Sequence, residues 1–140
     1  MSEDNKTKLR ASINAVEAGY EFMLAYAAQG WDVEQTGGGG GPSIRGYLEN
    51  MKTGLETLAD DFEALISIAE NADKKLFRTY NDVLRADAMK AHSAISLIIS
   101  LPSIGSQMID NLNASIHVRA LLTDIFLLDE AIQSLSKKPR

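Results

Sequence analysis

The chain has 140 residues, a formal charge of -5 at neutral pH and a pI near 5.0, with no cysteine. That length fits one domain with a buried core. The acidic balance argues against nucleic-acid binding and against an anionic membrane surface, since both rely on clustered Lys and Arg. Without cysteine there is neither disulfide nor thiolate chemistry, and any zinc site would have to use His and carboxylates. The polar opening Met1-Ser-Glu-Asp lacks a secretory pattern, and charges interrupt every apolar window before bilayer length. The expectation is a cytoplasmic protein with no nucleic-acid partner, no membrane contact and no cofactor.

From Thr7 to Gln29 the residues Leu9, Ile13, Val16, Tyr20, Met23 and Ala27 recur every three or four positions and predict a first helix. A second face carries Ala11, Ala15, Ala18, Phe22, Ala25 and Tyr26. Its small residues suit close approach of another backbone, so Ala11, Ala15, Ala18, Phe22 and Tyr26 form a candidate interface. Gly19 costs about 1 kcal/mol against Ala inside a helix, which points to a close contact there. Gly30 is the natural stop.

Residues 31–42 (WDVEQTGGGGGP) read as a flexible connector, anchored by Trp31. Glycine amides near Ser43 and Arg45 also resemble an anion cradle, but the spacing lacks the Lys-Ser or Lys-Thr of a Walker loop.

The second helix is predicted from Ser43, its N-cap, to Glu70, with Ile44, Leu48, Met51, Leu55, Leu58, Phe62, Leu65 and Ala69 as its seam. Asn71 and Asp73 make a turn, Asp73 capping a third helix from Lys74 to Leu101. Its broad apolar face takes in Leu76, Phe77, Tyr80, Val83, Leu84, Ala91, Ile95 and Ile98, and Pro102 ends it. A fourth helix spans Ser106 to Leu135, capped by Ser103 or Ser106. Between Val118 and Ile132 it is apolar almost all round, which requires cover on several sides. The expected fold is an all-α, four-helix bundle, up-down-up-down, with a long Gly-rich loop between helices one and two and a tail at 136–140.

Several polar residues interrupt these faces. Asp87 falls among Tyr80, Val83, Leu84 and Ala91, where a carboxylate must be paired or protonated. Arg119 is the cation within the apolar part of the fourth helix, so a buried Asp87–Arg119 pair is expected to fix helix packing. Asp110, Asn113, His117 and Asp124 form a polar line on the fourth helix. Their spacing is too long for a single metal ion without ligands from another helix. Neither His92 nor His117 has a Glu three residues earlier, as di-iron bundles require, so no metal centre is expected.

Arg85 and His92 lie on one flank of the third helix. This Arg-x6-His spacing resembles the pattern of HEPN-type ribonucleases and would imply RNA cleavage by those two residues. His92 is also similar to the phosphorylated His of histidine-phosphotransfer bundles. Those carry Lys three and Gly four residues later, where this chain has Ile95 and Ser96. The surplus of apolar surface on helices one and four favours a non-enzymatic bundle that acts by protein association, first as a homodimer. A small apolar ligand between helices one and four, lined by Met23, Met108 and Phe126, is a further expectation.

Overall fold

The structure is a computed structural model that describes residues 2–36 and 43–135. Five helices and no strands occur among the described residues: α1 (Ser2–Ala28), α2 (Ile44–Ile68), α3 (Lys74–Ile99), α4 (Ser106–Ala114) and α5 (Ile116–Ser134). The glycine run Gly37–Gly41 and the tail 136–140 lie outside the described residues.

The helix ends follow local chemistry. Ser43 accepts from the Gly46 amide at 3.0 Å and caps α2; Asp73 accepts from the Leu76 amide at 3.2 Å and caps α3. Gly30 and Asn71 take the left-handed backbone that turns the chain out of α1 and α2, with φ of 68° and 63°.

The fourth predicted helix is two helices. Ser115 adopts an extended backbone, φ -66° and ψ 137°, so α4 stops at Ala114 and α5 restarts at Ile116. One extended residue resets the helical phase, and faces projected across Ser115 do not carry through. The capping expectation there also changes: Gly105 occupies the N-cap of α4 without a side-chain bond.

One apolar core runs through all five helices, from Leu9, Val16 and Met23 of α1 through Met51, Leu58 and Phe62 of α2 to Ile95, Ile109 and Ile125. The α1–α2 contact is built on two glycines. At Gly19 the Met51 side chain occupies the space a Cβ would need; at Gly54 a Cβ would lie 3.1 Å from the Ser12 carbonyl oxygen. Gly19 does mark a close approach. Of the small-residue face of α1, Ala15 lies against Gly54 within the subunit. Phe22 stacks on Tyr47 with ring centroids 4.2 Å apart, and Tyr26 is 2% exposed. As an interface residue Tyr26 is corrected; Ala15 and Phe22 are half-buried, and Ala11 and Ala18 are exposed.

The buried face of α3 is narrower than expected. Leu84, Ala88, Ala91, Ile95 and Ile98 are buried with Asn81, whereas Leu76 and Val83 are 65% and 45% exposed. The core side of α3 centres on Leu84 and Ala88, which turns Leu76 and Val83 about 90° away by helical geometry.

The segment after α1 is pinned rather than loose as far as Gln35. Tyr26 donates through its hydroxyl to the Ile104 carbonyl at 2.6 Å and accepts from the Gln35 amide at 3.1 Å. The Ser106 hydroxyl donates to the Tyr26 carbonyl and accepts from the Trp31 amide, and the Ser106 amide donates to the Trp31 carbonyl at 2.8 Å. Arg45 closes the knot: it meets Glu34 through two nitrogens, at 2.7 and 3.1 Å, and donates to the carbonyls of Ile99 and Leu101. Its guanidinium holds the Glu34 carboxyl below the usual range. The flexible stretch expected over 31–42 is thereby corrected for residues 31–35, whose backbone is held at Trp31 by Ser106, at Glu34 by Ser103 and at Gln35 by Tyr26. The cation considered for an anion cradle is engaged by the chain's own Glu34.

Candidate functional site: a carboxyl pair between α3 and α5

Where α3 meets α5, Tyr80, Asp87 and Asp124 come together. Tyr80 and Asp87 are two turns apart on one face of α3. The Tyr80 hydroxyl donates to Asp124 Oδ1 at 2.8 Å. Asp87, half-buried, lies within hydrogen-bonding reach of Asp124. Asp124 is 5% exposed, and its Oδ2 has no protein donor.

Two carboxyl groups this close repel when both are ionised, which favours a proton on the buried one. Burial pushes the Asp124 carboxyl up to about 6; the neighbouring Asp87 adds to the rise, and the Tyr80 hydrogen bond works against it. Burial and Asp124 push the Tyr80 phenol up to about 12, so it remains a donor throughout the neutral range.

This arrangement corrects the expected Asp87–Arg119 pair. Arg119 is exposed, because it sits on the outward side of α5, about 140° from Asp124 by helical geometry. Leu112 lies in α4, across the break at Ser115 from Arg119, whereas Phe126 stays two turns along α5 on Arg119's own side. Phe126 itself is exposed. The true partner of Asp87 is the acid that the sequence placed in an adjacent polar line. Both acids and the phenol carried a signal, since each interrupts an apolar face. Matching acid only with base hid it.

The remainder of the polar line does not converge. Asp110 and His117 are exposed, while Asn113 is buried with its Oδ1 lacking a protein partner. Among the described residues no group of three or more His, Cys, Asp or Glu is placed to hold a metal ion. Arg85 and His92 share a flank of α3 as expected, but each faces an α2 carboxylate: Arg85–Asp60 at 2.8 Å and His92–Glu56 at 2.9 Å. Arg78–Glu63 at 2.9 Å completes a ladder of three contacts along the α2–α3 seam.

Met23, Met108 and Phe126 do not line a common cavity: Met23 is fully buried and the other two are exposed. The apolar cleft in the structure lies at the opposite end. It has a volume of about 980 Å³ between the start of α1 and the ends of α2 and α5, lined by Leu9, Leu65, Ile68 and Ile132, with Arg10 and Asp129 at its rim. No helix among the described residues is long and apolar enough to cross a membrane.

Comparison of the chain with protein-family models, curated proteins and solved structures found no match.

Proposed function

We propose that this protein is a non-enzymatic association module, an up-down-up-down bundle that pairs with a second copy of itself through the α3–α5 face. The arms in this reading are α1, α2, α3 and the broken α4–α5. Contacts between successive arms support the alternation. Gly19 meets Met51 and Ser12 meets Gly54 across α1–α2; Arg78 meets Glu63 and His92 meets Glu56 across α2–α3. Tyr26 meets Ile104 while Arg10 meets Asp129, so the last arm opposes α1 and hence α3.

The observation that carries the reading is the exposed apolar strip along α3 and α5. Leu76 and Val83 on α3 are joined by Ile116 and Leu127 on α5, the last two 74% and 56% exposed. Large apolar side chains exposed on two neighbouring helices support an interaction surface there. Helical spacing sets Lys90 and Arg119 towards one end of the strip and Glu130 towards the other. A two-fold axis through its centre superposes apolar on apolar and opposes the cationic end of one copy to the acidic end of its mate, the self-complementary contact of a symmetric dimer.

Sedimentation equilibrium tests this. Wild type is expected to dimerise at micromolar concentrations, and Leu76→Ser/Leu127→Ser to be monomeric with an unchanged helical spectrum. A monomeric wild type at hundreds of micromolar overturns the proposal. The cleavage reading has less support, because Arg85 and His92 each face an α2 carboxylate rather than a cleft. Failure to cut RNA without metal ends it.

A further inference from the structure

We infer that self-association through the α3–α5 face is coupled to proton uptake by the Asp87–Asp124 pair, so that the dimer is favoured by acid. This rests on the dimer reading and adds its control.

The pair lies directly beneath the apolar strip. Val83 is three residues from Tyr80 and four from Asp87, and Leu127 is three residues from Asp124. Residues at those spacings are neighbours on a helix surface. The Tyr80–Asp124 bond and the Asp87–Asp124 contact bridge the two helices that carry the strip. Whatever covers Val83 and Leu127 therefore removes the remaining water from Asp87, which is half-buried in the single copy.

Covering two ionised carboxylates without a cation is costly. The groups acting on Asp124 are Asp87 and the neutral Tyr80 phenol, with no cation among them. From α3, Lys90 lies one turn beyond Asp87 on the solvent side. On α5, His117 and Arg119 are exposed in the first turns, and on α4 the exposed charge is Asp110. None supplies a buried counter-charge. The inexpensive compensation is one proton from solvent held between the two carboxyl groups, with Tyr80 donating to the other Asp124 oxygen. Each copy takes up to one proton on pairing, and by linkage the dimer tightens as pH falls.

The experiment is sedimentation equilibrium at pH 5.5 and 7.5 on wild type and Asp124→Asn. Wild type is expected to have a dimer dissociation constant at least tenfold lower at pH 5.5. In Asp124→Asn the amide accepts from Tyr80 and donates to Asp87 without titrating, so the variant is expected to dimerise about equally at both pH values. General loss of negative charge near the pI would also favour association in acid, but it would leave the variant as pH-dependent as wild type; that result overturns the inference. Equal wild-type constants at both pH values overturn it while leaving the dimer intact. A monomer at both pH values instead overturns the dimer reading itself. Should Asp124→Asn not fold, dilution calorimetry of wild type at pH 6.5, in buffers of different ionisation enthalpy, counts the protons directly. Uptake supports the coupling, and a count of zero overturns it.

Discussion

Tyr80 on α3 reaches Asp124 on α5 with a 2.8 Å hydrogen bond, and this phenol–carboxyl contact ties the last helix to the bundle through a buried polar group. Burial of Asp124, with the Asp87 carboxyl on the same helix as Tyr80 adding to the effect, makes the tie sensitive to protons.

Raising a carboxyl's folded-state affinity for protons has a definite sign. Asp124 moves from 3.8 unfolded to about 6 folded. Its contribution is fully present below the lower value and is lost as pH rises through about 6. At concentrations low enough to keep the protein monomeric, Asp124→Asn is expected to melt higher than wild type at pH 7.5. The gain is about 1–3 kcal/mol. Near pH 4 the two should converge, and scanning calorimetry across that range checks both points.

Removing the phenol acts in the opposite sense. Tyr80→Phe leaves both Asp124 oxygens without a protein donor, and losing a hydrogen bond to a buried acceptor costs about 1–3 kcal/mol. It also removes the interaction that held the carboxyl down, so the stability loss with rising pH should extend to higher pH than in wild type. Chemical denaturation at several pH values measures both.

The knot around Glu34 and Arg45 should titrate the other way. Arg45 lowers the Glu34 carboxyl, so its contribution is present at neutral pH and lost as pH falls through the depressed folded value. Arg45→Ala also strips a donor from two carbonyls, at Ile99 and Leu101. Stability is expected to fall by about 2–3 kcal/mol. Hydrogen exchange should show the gain in exchange concentrated at Ile104 and Ser106, whose amides bond to Glu34 and to the Trp31 carbonyl.

Gly19 and Met51 should behave as one unit. Gly19→Ala drives a methyl into the Met51 side chain and is expected to cost about 1–3 kcal/mol, despite the better helix propensity of Ala. In a Met51→Ala background the same change should be neutral or stabilising by up to about 1 kcal/mol. A double-mutant cycle from urea melts gives the coupling directly.

Arg119 should hardly matter to the fold. The side chain is exposed, and Arg119→Met is expected to shift stability by no more than about 0.5 kcal/mol. Asp87 keeps its partner on α5 in that variant, so the pH dependence of unfolding should be unchanged.

Much of this was legible in the chain itself. The α2 seam from Ile44 to Leu65, the caps Ser43 and Asp73, the stop at Gly30 and the tight approach at Gly19 are local or periodic signals. Each is written in a few neighbouring residues. The candidate site was half legible. Asp87 and Asp124 each stand out against an apolar surrounding, but the identity of their partner depends on which helix packs where and in what phase. A single extended residue at Ser115, unmarked by Gly or Pro, moved that phase for the whole of α5. The knot was not legible, because Tyr26, Glu34, Arg45 and Ile104 make their bonds across separations of up to 78 residues.

By itself the sequence determined an all-helical chain: its apolar periodicity favours helices, and its turn residues say where most of them stop. Tertiary structure alone decided that α5 points Arg119 to water and Asp124 inward, that Leu76 and Val83 stay uncovered, and that an acid is matched with an acid. Periodicity specifies that a face is apolar, whereas which part of it is buried depends on the neighbour's position. That position follows from packing the entire core at once.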